Sequence, residues 1–171
     1  MGWLARLFGD RTPEGFDGVL DPGEHVLDSA EVTGGGLLVV TPLGLWIPGP
    51  RRVGWHLIAK AAWRDDLIEL TESDEVGTAG DAVFLADRAP VRFGLERSGK
   101  VPKLIWERVE GSIRSRYRKD LADGGGAWFV QRKVPGRDGA VLQVRADPGT
   151  DRDVVAAIAR EAAEKLATPE L

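Results

Sequence analysis

His25 and His56 are the only imidazoles in the chain, and there is no cysteine, so the chemistry open to it is narrow. Without thiols there is no cysteine nucleophile, no iron–sulfur ligation and no thiolate zinc site. The separation of the two histidines matches no spacing by which paired zinc ligands are presented. Asp65-Asp66 offers two carboxylates of the kind used in acid–base or metal chemistry. Neighbours in sequence, however, point to opposite sides of an extended strand, and a hairpin turn accounts for both. His25, Asp28 and Ser29 contain triad-like residue types, yet they run along one predicted strand, and no Gly-x-Ser-x-Gly elbow exists. Gly34-Gly35-Gly36 and Gly124-Gly125-Gly126 lack the following Lys-Ser/Thr of a phosphate loop, so tight turns explain them. No catalytic, cofactor-binding or metal-ligating residue is assigned. A hydrolase-type enzyme would require His25, His56, Asp65 and Asp66 to converge in one pocket.

The remaining chemistry is electrostatic. The chain carries a net charge of −4, which argues against bulk affinity for nucleic acid. Against that background Lys100, Lys103, Arg108, Arg114, Arg116, Arg118 and Lys119 face only Glu107, Glu110 and Asp120, a local net charge of +4. Such an uneven field can orient a protein on anionic lipid or on an acidic partner. Aromatic residues do not interleave with these cations as a base-stacking platform needs, so no specific nucleic-acid partner is expected. Arg108, Arg114, Arg118 and Lys119 avoid the apolar positions nearby and are the candidate partner-binding or anionic-surface residues. At the N-terminus Trp3, Leu4, Leu7 and Phe8 recur at helical spacing beside Arg6 and Arg11. They suit either a short helix docked on its own domain or a weak membrane foot.

The elements that must position these residues follow from periodicity. Short apolar segments separated by Gly/Pro turns run from His25 to Leu95, with Asp65-Asp66 at one turn and a polar loop expected over Ser73 to Asp81. A basic amphipathic helix is expected from Pro102 to Leu121, because Ile105, Val109, Ile113 and Tyr117 fall at four-residue steps. After Gly124-Gly125-Gly126 come a second hairpin, Trp128 to Val134 and Val141 to Ala146, and a last helix entered through Thr150 and Asp153. The expected organisation is therefore an N-terminal amphipathic segment over 1–19, a barrel with its helix over 20–122, and a ββα extension over 123–171. The extension should dock on the same domain, since a hairpin with one helix has too little core to stand alone. No apolar run approaches the ~20 residues that span a bilayer. Nor does the N-terminus have the pattern of a signal peptide, so a cytoplasmic location, membrane-peripheral at most, is expected.

Three stretches carry a resemblance: Gly23-Glu24-His25-Val26-Leu27, then Gly36-Leu37-Leu38-Val39-Val40-Thr41 leading to Leu43-Gly44-Leu45-Trp46, then Arg52-Val53-Gly54-Trp55-His56-Leu57-Ile58. Together they resemble bacterial pleckstrin-homology-like and GRAM-like domains of actinobacterial type. The resemblance covers about residues 20 to 120 and implies an α+β fold, a bent β-barrel of about seven strands closed by one C-terminal helix, which in this family hosts lipid readers, peptide binders and scaffolds alike. Head-group readers place Lys or Arg in the first hairpin. Here that hairpin is Thr33-Gly34-Gly35-Gly36, so phosphoinositide binding is not carried over. The leading expectation is a non-enzymatic binding or scaffold domain without cofactor, engaging a protein partner or its own copy. Peripheral membrane association through the N-terminal segment and the basic helix is the alternative, and a hydrolase-type enzyme the second.

Overall fold

The computed structural model describes residues 12–167, so the expectations for Trp3, Leu4, Leu7 and Phe8 lie outside it. In chain order the strands are β1 (Asp28–Glu31), β2 (Leu37–Val40), β3 (Gly44–Ile47), β4 (Arg51–Gly54), β5 (Ile58–Arg64), β6 (Leu67–Ala79), β7 (Ala82–Asp87) and β8 (Val91–Gly94). Helix α1 (Val101–Gly111), strands β9 (Ile113–Asp120), β10 (Gly126–Lys133) and β11 (Ala140–Ala146), and helix α2 (Arg152–Ala167) complete them. They form two compact units, residues 12–72 with 89–111, and residues 73–88 with 112–167.

In the first unit β1 to β4 form an antiparallel meander. Leu37 to Val40 is apolar on both faces, as a strand covered on both sides should be, and Leu38, Val39 and Val40 have no exposed surface. The β1–β2 turn requires its glycines. Gly34, Gly35 and Gly36 have φ of 95°, 122° and 89°, a region that side chains disfavour. A short 3₁₀ turn, Trp55–Leu57, leads into β5, which pairs with the first part of β6, and β6 pairs in turn with β8. The end of β8 meets the end of β1: Val32 bridges Leu95, and the Thr33 amide donates to the Gly94 carbonyl at 2.8 Å. This link curls the strands around one core. Helix α1 packs on β5, β1 and β2 and inserts Val101, Ile105 and Val109 among Leu38, Val40, Ile58 and Ile68. Each such side chain, once buried, contributes about 1.5–3 kcal/mol.

The second unit is a mixed sheet in the order β6, β7, β11, β10, β9, in which only β7 and β11 run parallel. Helix α2 covers one face, laying Val155, Ala159 and Ala163 over Ala82, Phe84, Phe129, Leu142 and Val144. Its first turn is capped by Asp151, whose carboxylate accepts from the Asp153 and Val154 amides at 3.0 and 3.4 Å. Thr150, expected to cap it, instead accepts from the Gly126 amide at 3.3 Å.

Three expectations need correction. The polar loop over Ser73 to Asp81 is mostly strand, since β6 continues to Ala79 and pairs with β7 from Ser73↔Asp87 to Ala79↔Ala82. The helix expected to reach Leu121 stops at Gly111, and residues 113–120 are extended. Glycine is a poor helix former, and after it Arg114 to Lys119 favour an exposed strand in which every second side chain shares a face. The ββα elements exist, but the boundary at 122/123 does not separate the compact units. The sheet holding β10 and β11 also takes in β9 and the β6–β7 hairpin.

Candidate functional site

Strand β9 has the sequence Ile113-Arg-Ser-Arg-Tyr-Arg-Lys-Asp, so the +4 field does not lie on a helix face. Helix α1 itself is balanced, with Lys103 and Arg108 against Glu107 and Glu110, and Lys103 lies 3.7 Å from Glu107 one turn on. Apart from Lys100, just ahead of α1, the net positive charge is that of β9, where four basic residues face Asp120 alone for a net +3. Of the four candidate cations, Arg108 is therefore half-buried on α1 in the first unit, while Arg114, Arg118 and Lys119 lie on β9 in the second.

Register with β10 fixes where the β9 side chains point. Arg118 stands opposite Trp128, with its guanidinium carbon 5.8 Å from the indole centroid. Tyr117 stands opposite Phe129 on the other face, the rings stacked at 5.1 Å with 6° between planes, and its burial raises the phenol's pKa above the ordinary value. Ser115 donates to Gln131 at 3.0 Å on that same face. Alternation then puts Arg116 with Arg118 on the Trp128 face and Lys119 with Tyr117 on the opposite one. Arg114 falls at a bulge, where β9 carries one residue more than β10 between Ile113 and Ser115.

Arg118 is already committed. Its guanidinium donates to both carboxylate oxygens of Asp147, one of them at 2.9 Å, and to Asp120 at 3.0 Å. The hydrogen bonds it donates to Asp147 and Asp120 hold its pKa above the ordinary value, and the same pairing holds Asp147 below its own. Arg118 thus staples the end of β9 to the segment after β11. Nothing in the sequence announces this, because Asp147 is 29 residues away.

β9 ends the strand order, and every residue from Arg114 to Asp120 is exposed. An edge strand presents main-chain N–H and C=O groups at every second residue toward whatever lies beside it.

In the first unit one buried polar network centres on Glu24. Glu24, wholly buried, accepts from Thr41 at 2.6 Å, the Trp46 indole at 3.2 Å, the Asp21 amide at 2.9 Å and Arg52 at 2.7 Å. Burial opposes the charge of Arg52, but Asp21 and Glu24 outweigh it and raise the guanidinium's pKa. Thr41 also receives the Leu43 and Gly44 amides, at 3.2 and 3.3 Å, and so shapes the β2–β3 turn. A cleft of about 920 Å³ beside the β1–β2 hairpin is lined by Glu14, Glu31, Glu96, Ser29 and Arg97 among others, with more acid than base. Trp63 and Trp106 meet edge to face at 6.4 Å, each somewhat under half exposed.

The residues a hydrolase would need lie on separate segments: exposed His25 precedes β1, His56 is in the 3₁₀ turn, and Asp65-Asp66 forms the β5–β6 turn. Asp65 has φ 53°, and Asp66 accepts from Ser98 at 2.7 Å, so both carry out the turn role their spacing suggested. Among the described residues no group of three or more His, Asp or Glu is placed to hold a metal ion. No described helix is long and apolar enough to cross a membrane. Comparison with protein-family models, with curated proteins and with solved structures returns no match to this chain.

Proposed function

We propose that this chain is a non-enzymatic binding module of pleckstrin-homology-like type that engages a protein partner through strand β9. The first unit supports the family reading: four meander strands, three further strands and the apolar face of one helix share a single core. The acidic lining beside the β1–β2 hairpin is the wrong sign for a phosphate-bearing head group, which favours a protein over a phosphoinositide as ligand. The observation that carries the proposal is the β9 edge, eight residues long, exposed from Arg114 onward and basic in an acidic protein. A self-association through this edge would set like charges against each other, so a different chain is the better occupant.

The test compares proteins retained from a cell lysate by the parent and by an Arg116→Glu/Lys119→Glu variant, both verified as folded by circular dichroism. One or more proteins held by the parent and lost by the variant is the expected result. Identical retention by both, or capture by neither, would overturn the assignment of β9. Membrane association, the alternative, drew on the N-terminal amphipathic segment, which lies outside the described residues, and on a basic helix, whose residues 113–120 are a strand instead.

A further inference from the structure

We propose that Asp138, in the turn between β10 and β11, is a site of spontaneous modification that converts to isoaspartate through attack by the Gly139 amide. The chain has no asparagine, and aspartate precedes glycine at Asp17-Gly18, Asp123-Gly124 and Asp138-Gly139. The reaction joins a side-chain carboxylic acid to the next main-chain amide. The glycine nitrogen forms a bond to the aspartate Cγ and gives up its proton, while the Cγ hydroxyl takes up a proton and leaves as water. A second water opens the resulting five-membered succinimide. Opening at the side-chain carbonyl restores aspartate, and opening at the main-chain carbonyl leaves isoaspartate. One water leaves and one enters, so neither oxidant nor cofactor is required. Glycine favours the ring closure because no Cβ obstructs the approach.

The sequence ranks the three sites alike, and the structure separates them. All three aspartates are exposed, so the difference lies with the attacking amide and the backbone around it. Gly18 is hemmed in: a Cβ there would come within 2.4 Å of the Phe16 ring and 3.0 Å of Trp46. Gly124 sits in a turn closed twice, its amide donating to the Leu121 carbonyl at 3.2 Å and the Leu121 amide to the Gly125 carbonyl at 3.0 Å. Attack on Asp123 would break the first of these bonds. The Gly139 amide, by contrast, donates to no acceptor among the described residues, and a Cβ built there would meet nothing within 4 Å. The bond from the Arg137 amide to the Val134 carbonyl, 3.2 Å, closes the start of this turn and leaves Asp138 and Gly139 outside it. An exposed turn with so little holding it reaches the ring-closing conformation at small cost. The product keeps the mass and the single negative charge of the parent but carries one more methylene in the main chain. That extra length falls between Lys133 and Ala140, the ladder pair at the mouth of the hairpin.

The full chain is incubated at neutral pH in water enriched in oxygen-18, both folded and unfolded in guanidinium chloride. Peptides holding positions 17, 123 and 138 are then scored for isoaspartate by electron-transfer fragmentation. Each succinimide opening places one solvent oxygen in the product, so the label identifies the route. The folded protein should form at least fivefold more labelled isoaspartate at 138 than at either other position, and the unfolded chain comparable amounts at all three. Asp138→Glu, which would need a six-membered ring, should abolish the product at that position. Equal formation at the three positions of the folded protein, or more at 123 or 17, would overturn the assignment. The same preference for 138 in the unfolded chain would also overturn it, because the fold would then not be the cause. So would unlabelled isoaspartate at 138, or none there once the unfolded chain has converted.

Discussion

Glu24 shows how one side chain can organise the entry to a sheet. Its carboxylate collects donors from Thr41, Trp46, Arg52 and the Asp21 backbone, so removing it strands several buried groups at once. Glu24→Ala is expected to cost on the order of 3–5 kcal/mol, read as a lower urea midpoint at unchanged slope. Gly126, at the start of β10, is a second such point. A Cβ there would come within 2.5 Å of the Lys119 carbonyl oxygen and 3.2 Å of the Asp120 Cα, both backbone atoms of β9. Gly126→Ala should therefore destabilise by about 1–3 kcal/mol and weaken amide protection along β9 first. The Arg118–Asp147 pair sets a pH response. Because Asp147 titrates below its ordinary value of 3.8, its contribution is complete above that pH and is lost as pH falls through the lowered value. In a carboxylate NMR titration Asp147 should titrate below pH 3.8 in the parent, and Arg118→Gln should return it to the ordinary range.

At the scale of elements, Ile105 and Ile113 separate the helix expected from the sequence and the one the chain forms. One helix through Leu121 would bury both alike, whereas Ile105 has no exposed surface and Ile113 is half-buried on a strand. Ile105→Ala is expected to cost about 2–5 kcal/mol and Ile113→Ala less than half as much, as thermal or urea melts of the two variants would show. The misreading has a physical origin: a four-residue step is even, so the spacing of Ile113 and Tyr117 fits one face of a regular strand as well as one face of a helix, although the bulge at Arg114 sets them on opposite faces of β9. Gly111 and the alternation of Arg with Ser and Tyr were the signals that could have decided between them. Elsewhere the pattern was legible, because turn chemistry is local: the Gly34 triplet and Asp65-Asp66 lie at the strand junctions they predicted, and the Gly124 triplet marks a break in the chain, though between two strands rather than after a helix. Residues 73–79 were illegible for another reason. Asp74, Glu75 and Gly77 give the composition of a solvated loop, and the strand rests on hairpin pairing with β7 and on the bidentate Arg88–Asp74 contact, 2.6 Å at its shortest, which composition does not show. The cation cluster was visible as composition, but its division between two faces and the loss of Arg118 to Asp147 depend on register.

For the molecule as a whole, neither compact unit is a continuous piece of chain. The second takes the β6–β7 hairpin from the middle of the sequence and its other strands from the end. Removing residues 124–171 would leave β7 without β11 and β9 without β10, so that truncation should bind hydrophobic dyes and aggregate. A soluble, monomeric product as stable as the parent, by sedimentation and melting, would contradict the sheet order. The parallel pairing of Ala82 with Leu142 has a further consequence, in time. A ribosome adding roughly 5–20 residues per second needs several seconds to make the sixty residues between those partners. Throughout that interval the apolar face of β7, including Phe84, has neither β11 nor α2 to cover it. The nascent chain therefore passes through a stage in which a β-hairpin with one sticky face waits for its neighbours. Slower translation of the last fifty or so codons should raise the yield lost to aggregation during synthesis while leaving the purified protein's stability unchanged.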